Sequence, residues 1–155
     1  MNNKYVFRLL HNHKIKYDGN DWICDSKLLG YFTSIQQAQN IIKKYKKVTG
    51  FKDYPDGFII QKEKVICDNS ISLKSDVIRC IYELTHSFED KDGYDIITYF
   101  SVYSSLELAR HDEKKLLLEV PFSSHPEGFL IVDHQLNKCY WQEGFTERTG
   151  DGLRG

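Results

Sequence analysis

Histidines are the residues of this 155-residue chain whose spacing first points to chemistry. His11 and His13 are two positions apart in a stretch with a strand pattern, so their side chains should share one face and could chelate a metal ion. A similar stretch later in the chain ends in His86 and Phe88, and it lacks the second ligand. We therefore interpret His11 and His86 as hydrogen-bonded histidines at strand ends, and we predict neither a metal site nor a cofactor.

An acidic run beside a glycine is the second candidate site. Its carboxylates are Glu89, Asp90, Asp92 and Asp95. Gly93 places the run at a predicted hairpin tip, where charged residues are normally solvated surface. As a functional site, the run would be an acidic loop directed at a basic partner. We predict that these four carboxylates contact the partner, together with Trp141, an aromatic residue of the kind that binding surfaces favour.

Two further chemistries find little support in the sequence. Lysines surround Tyr45 between positions 43 and 47, but the chain has 21 Lys and Arg against 22 Asp and Glu, and cations suit the negative end of a helix. Direct nucleic-acid binding is therefore not predicted. No Gly-x-Ser-x-Gly elbow or phosphate-binding glycine loop occurs, and the four cysteines form no Cys-x-x-Cys pair, which favours buried free thiols. We predict a protein that is not an enzyme.

A segment that occurs twice must position these residues. An aromatic residue followed by Thr-Ser or Ser-Ser and then Ala begins at Phe32 and again at Tyr103, and a Phe-x-x-x-Pro-acid-Gly-Phe piece begins at Phe51 and again at Phe122. Both pairs are 71 positions apart, so the sequence indicates an internal duplication. Opposite charge accompanies it, because residues 1–70 carry 12 basic and 7 acidic residues whereas residues 71–155 carry 9 and 15.

Each copy has the pattern of two strands, a helix, a turn and a third strand. Capping boxes are predicted at Ser34 with Gln37 and at Ser104 with Glu107. In the first helix an apolar stripe should lie on the sheet, formed by Ile35, Ala38, Ile42 and Tyr45. The second helix ends in three leucines at 116–118, which we expect to contact the other copy or a partner.

The predicted fold is α+β, with two tandem ββαβ repeats that form a pseudo-twofold antiparallel sheet structure with helices on one side. The first repeat is predicted at 1–70. The second is predicted at 71–148, and its extra strand at 139–145 contains Trp141. A polar, glycine-rich tail at 149–155 is predicted to be flexible.

The combined motifs resemble a family of short bacterial domains of unknown function. The first copy matches them with Leu10-His11, Phe32-Thr33-Ser34, Gly50-Phe51 and Pro55-Asp56-Gly57-Phe58. The second matches them with His86, Tyr103-Ser104-Ser105, Phe122, Pro126-Glu127-Gly128-Phe129 and Trp141-Gln142-Glu143-Gly144-Phe145. This chain departs from the pattern in being doubled, in lacking the Trp ending after the first copy and in having Pro121 before Phe122. The resemblance implies no particular activity.

We predict a non-enzymatic bacterial protein-binding module. Small size, segregated charge and many aromatic residues are general features shared with interbacterial immunity or antitoxin proteins, so the expected partner is a cognate toxin domain whose active site is occluded. The chain has no apolar run long enough for a membrane span and no signal pattern, which predicts the cytoplasm and no membrane partner. Oligomeric state is left open.

Two alternatives stay open at this point. The duplication is also compatible with a structural or regulatory accessory domain that forms a stable pseudo-dimer. A small-molecule enzyme would require a ligand-lined cleft between the repeats, at which His11 and His86 converge.

Overall fold

The computed structural model of the protein describes residues 4–17, 21–68 and 79–141, with side chains described there except at 15–17 and 21–24. The strands are β1 Tyr5–Tyr17, β2 Asp21–Phe32, β3 Phe58–Ile66, β4 Cys80–Glu89, β5 Asp95–Tyr103 and β6 Phe129–Gln135. The helices are α1 Ile35–Tyr45 and α2 Leu106–Leu116. The predicted α+β class is confirmed. The predicted tail at 149–155 lies outside the described residues, as do positions 142–145 of the predicted last strand. Its described part, 139–141, is not a strand, so the prediction of an extra strand is wrong there.

The strands form a six-stranded sheet in the order β2-β1-β3-β5-β4-β6. The pairs β1–β2, β4–β5 and β4–β6 are antiparallel. The predicted antiparallel sheet is wrong at β3 and β5, which pair in parallel at Val65 with Val102 and at Ile66 with Tyr103. Alternation of apolar residues specifies which face of a strand is buried, but it does not specify the neighbouring strand or its direction.

The chain divides into two compact units, and each unit is made of two separate stretches of the sequence. One unit comprises Phe7–Gln61 and Asn137–Gly155, and we call it the α1 unit. The other comprises Met1–Val6 and Lys62–Leu136, and we call it the α2 unit. These units do not coincide with the predicted segments 1–70 and 71–148, because a short stretch from each end of the chain packs with residues far away in sequence.

The α1 unit is built on buried side chains of β1, β2, α1 and the segment that follows α1. They are Leu9, Leu29, Phe32, Ala38, Tyr45 and Phe51. Ser34 caps α1 as predicted, since its side chain accepts a hydrogen bond from Gln37 N. Ile35 does not join the predicted apolar stripe, because its side chain is 49% exposed. After the second copy the chain returns to β2, where Tyr140 N donates to Leu29 O at 3.3 Å.

The α2 unit packs α2 against β4, β5 and β6 over a core that includes Leu84, Tyr103 and Ala109. The predicted cap of this helix is wrong by one residue, because Ser105 is the N-cap and accepts from Leu108 N. Ser104 N instead donates to Ile66 O at 2.9 Å, so the first serine continues the strand pairing and the second serine begins the helix.

Candidate partner-binding surface

The loop between β4 and β5 owes its shape to Asp90. Its Oδ1 accepts hydrogen bonds from Asp92 N and Tyr94 N, both at 2.9 Å. Gly93 has a φ of 84°, a left-handed conformation that a glycine adopts without steric strain. Asp90 was predicted to contact a partner, but this carboxylate is half-buried and holds the backbone of its own loop.

Glu89 and Asp95 face each other across the last rung of the β4–β5 pair. Both side chains are exposed, and so is that of Asp92 at the loop tip. Carboxylates directly opposite one another repel and destabilise a sheet. The arrangement is therefore unfavourable for folding, and a cationic group bound there would relieve the repulsion.

Two exposed apolar side chains lie on the same sheet face as these carboxylates. Asp95 and Ile97 are two residues apart on β5, and alternate residues of a strand share a face. Ile97 pairs with Ser87, and Leu130 pairs with Thr85, which is two residues from Ser87 on β4.

The side chains of Ile97 and Leu130 are 71% and 57% exposed, respectively. Helix α2 does not cover them, because it packs over side chains that alternate with them, such as Phe100 and Phe129. We call the surface formed by Glu89, Asp95, Ile97 and Leu130 the acidic-apolar face. Exposed apolar surface rimmed by polar and charged residues is typical of interaction sites.

The sequence analysis predicted the carboxylates of this face but missed Ile97 and Leu130. The sequence did contain one indication of an exposed apolar residue, because Ile96 and Ile97 are adjacent in a strand. Successive strand residues point to opposite faces, so one isoleucine had to point away from the helix.

Trp141, the fifth predicted contact residue, belongs to the α1 unit and not to the unit that carries the acidic-apolar face. Its indole Nε1 donates to Leu28 O at 2.6 Å, and its backbone carbonyl accepts from the Tyr45 hydroxyl at 2.7 Å. Trp141 as a whole residue is 39% exposed, and the Lys27 Nζ lies 4.3 Å from the centroid of its ring. Trp141 therefore attaches the end of the described chain to β2 and α1.

His86 is fully buried, and it holds the turn that precedes β6. Its Nε2 lies 2.7 Å from the carbonyl oxygen of His125, so Nε2 carries the hydrogen and donates it. The imidazole packs against Phe122 and Phe129, with centroid distances of 5.0 and 4.6 Å. Gly128 lies directly against this ring, since a Cβ there would be 2.8 Å from Nε2.

His11 is built into the α1 unit in a similar way. Its Nε2 donates to Tyr54 O at 2.8 Å, and a Cβ on Gly57 would lie 2.9 Å from that nitrogen. Burial lowers the pKa of His11 below the ordinary value of 6.5. Both histidines are 0% exposed, so neither imidazole is open to a substrate. Their predicted hydrogen bonds are confirmed. Their predicted place at strand ends is wrong, because β1 continues to Tyr17 and β4 continues to Glu89.

Other reactive groups form no site in the described part of the chain. No group of three or more His, Cys, Asp or Glu residues there could hold a metal ion. Cys67, Cys80 and Cys139 are free and half-buried, and burial raises the pKa of Cys80. A cavity of about 580 Å³ in the α1 unit lies beside the rings of His13 and Tyr54, which are tilted by 40° with centroids 3.9 Å apart. No serine, threonine or cysteine is among its described lining residues. Cys24 lies where side chains are not described.

Comparisons with protein families, with curated proteins and with solved structures find no match to this chain. The resemblance to the short bacterial domains therefore stays a prediction. Within the described residues, neither helix is long and apolar enough to cross a membrane.

Proposed function

We propose that the protein is a non-enzymatic bacterial binding module of the immunity or antitoxin type, which neutralises a cognate toxin by covering its active site. The observation that carries the proposal is the acidic-apolar face. Ile97 and Leu130 are more than half exposed there, on the sheet face that also carries the directly paired carboxylates Glu89 and Asp95. Neither feature helps the isolated protein to fold, whereas both favour association with a basic protein.

The expected partner surface is basic, with an apolar centre. Burial of Ile97 and Leu130 supplies the hydrophobic part of the affinity, at about 25 cal/mol for each Å² of apolar surface removed from water. Glu89, Asp95 and Asp92 steer the encounter and raise the association rate at low salt. A toxin whose active site binds an anionic substrate offers such a basic surface, and the carboxylates would occupy it. The cytoplasm is the proposed location.

We also propose that the fold is a pair of tandem ββαβ repeats related by an approximate twofold, with the helices on one side of the sheet. Support comes from features found once in each unit. A β-bulge follows Leu9 in β1 and Leu84 in β4. A buried histidine contacts the glycine of a Pro-acid-Gly turn in each case, at His11 and again at His86.

The test is a pull-down with tagged protein from the native host, followed by affinity measurements with the captured partner. The face variant is Glu89→Lys with Asp95→Lys. Its matched control is Glu107→Lys with Glu119→Lys, two exposed carboxylates at the ends of the α2 region, which changes the net charge equally. We expect the face variant to weaken binding at least tenfold at low salt and the control to keep the wild-type affinity.

Equal affinities for both double variants, with folding verified by circular dichroism, would refute the acidic-apolar face as the contact. A third variant, Leu130→Asp, tests the apolar part without adding positive charge. Capture of background proteins alone would favour the accessory-domain alternative over the toxin inhibitor.

A further inference from the structure

Strand β6 is the last strand at one end of the sheet. It pairs with β4 from Phe129 to Gln135, and none of the described strands lies on its other side. Alternate residues of such an edge strand direct N–H and C=O groups away from the sheet, where another extended chain can pair with them. Lysine, proline or a bulge often protects an edge, but β6 contains no lysine or proline and pairs with β4 without a shift in register. The edge is therefore suited to accept a further strand.

A cavity of about 390 Å³ lies between this edge strand and α2, and we call it the α2–β6 groove. It is bounded by one flank of α2 and by the helix-facing side of β4 and β6. Its described lining residues are Leu106, Arg110, Glu113, Tyr82, Ile131 and Asp133. None of them belongs to β5, so the groove lies on the β6 side of the helix. Leu106, Arg110 and Asp133 are exposed, which leaves the groove accessible from solvent.

The two faces of β6 offer different surfaces to an added strand. Ile131 and Asp133 are two positions apart and face the groove, whereas Leu130 lies on the opposite face and is 57% exposed. The described lining of the groove has two carboxylates, at Glu113 and Asp133, and one cation, at Arg110. A strand beside β6 would therefore place alternate side chains against a surface that combines apolar contact with net negative charge.

We propose that β6 and the α2–β6 groove bind an extended peptide segment, which adds one strand to the sheet. Main-chain hydrogen bonds to β6 hold the segment, and its alternate side chains enter the groove. The side chain beside Ile131 is apolar, and the side chain beside Asp133, two positions away, is Lys or Arg. The origin of the segment rests on the proposed function, because it would be an extended stretch of the toxin's basic surface. Leu130 belongs both to β6 and to the acidic-apolar face, so one partner can cover the two together.

The test is fluorescence anisotropy at low salt with the full-length protein and a fluorescein-labelled nonapeptide, Thr-Ile-Thr-Lys-Thr-Ile-Thr-Lys-Thr. Its isoleucines and lysines lie on one side of an extended chain, with the spacing that the groove requires. We expect saturable binding, which weakens about tenfold when glutamate replaces both lysines. Asp133→Lys should reverse this preference. The matched control, Glu119→Lys, changes an exposed carboxylate outside the groove and should bind the lysine peptide within about twofold of wild type.

Two methylated peptides test the strand addition itself. The N–H groups of alternate residues point to opposite edges of an extended chain. N-methylation of the threonines therefore blocks one edge of the peptide, and N-methylation of the isoleucines and lysines blocks the other. We expect one methylated peptide to bind within about threefold of the parent peptide and the other to bind at least about tenfold more weakly, because its edge cannot pair with β6.

Several results would overturn the proposal. They are the absence of saturable binding, equal binding of the lysine and glutamate peptides, equal effects of Asp133→Lys and Glu119→Lys, and equal binding of the two methylated peptides. A homodimer that dissociates when the peptide is added would assign the edge to a second copy of the chain and overturn the proposal as well.

The peptide assay needs no toxin, so its failure can be distinguished from failure of the proposed function. A captured toxin together with absent peptide binding would remove β6 as the contact and leave the toxin inhibitor standing. Peptide binding without any captured toxin would support the α2–β6 groove and count against the toxin inhibitor.

Discussion

Gly128 is the position at which one added methyl group should damage the α2 unit most. A Cβ there would overlap the carbonyl oxygen of Ser87 and lie 2.8 Å from His86 Nε2. The first obstacle is backbone of β4 and cannot rotate away. The second is a ring held between Phe122 and Phe129. Gly128→Ala must therefore push the Pro126–Gly128 turn away from β4.

The size of the effect follows from two contributions. Overpacking of a close-packed site costs about 1–3 kcal/mol. Displacement of the turn also weakens the hydrogen bond from His86 to His125 O, which contributes about 1 kcal/mol. We expect Gly128→Ala to lower the free energy of unfolding by about 3 kcal/mol, as measured by urea denaturation followed by circular dichroism.

Gly93→Ala is the matched control, because an added Cβ there meets nothing within 4 Å. Its φ of 84° still disfavours alanine, so this variant should lose only about 1 kcal/mol. A Gly128→Ala protein within about 0.5 kcal/mol of wild type would show that the turn moves freely and that the contact with His86 does not stabilise the fold. A loss no larger than that of Gly93→Ala would refute the contact argument in the same way.

Three further outcomes are expected. Burial lowers the pKa of His11 in the folded state, so the unfolded chain binds more protons and stability should fall as pH drops through 6.5. The urea midpoints at pH 7.5 and 5.5 should therefore differ less for His11→Gln than for wild type. Glu89→Gln with Asp95→Asn should raise the urea midpoint at low salt and lose this effect at 1 M NaCl, since it removes a repelling pair; equal gains at both salt concentrations would contradict that cause. Asp90→Ala should lower the free energy of unfolding by about 1–3 kcal/mol, or speed hydrogen exchange at the Asp92 and Tyr94 amides. Asp90→Asn keeps the accepting oxygen, so its stability and amide exchange should stay near those of wild type.

Features that depend on neighbouring residues were predictable from the sequence. The Ser34 cap needs only a hydroxyl three residues before a free backbone amide. His11 in β1 and His86 in β4 were both identified as hydrogen-bonded strand residues. The Glu89 to Asp95 loop was recognised from Gly93 and its acidic neighbours. The structural role of Asp90 was not predictable from the sequence. The amides that donate hydrogen bonds to its carboxylate reach it only in the closed loop.

Features that depend on distant residues were not predictable. Ser104 and Ser105 are equally good caps in sequence, and the choice between them follows from the hydrogen bond of Ser104 to Ile66 O. Trp141 was predicted to contact the partner together with the acidic loop because binding surfaces favour aromatic residues. The return of the chain to β2 instead placed it beside α1.

The sequence by itself determined the element types, the hairpin loop and the opposite charges of the two halves, because periodicity, capping and composition act over a few residues. Tertiary structure alone decided the parallel pairing of β3 with β5, the exposure of Ile97 and Leu130 on the sheet face of Glu89 and Asp95, and the contacts of Trp141 with β2 and α1. The physical reason is common to all three. A strand pattern specifies which side chains are buried, whereas pairing between distant segments specifies what lies next to them.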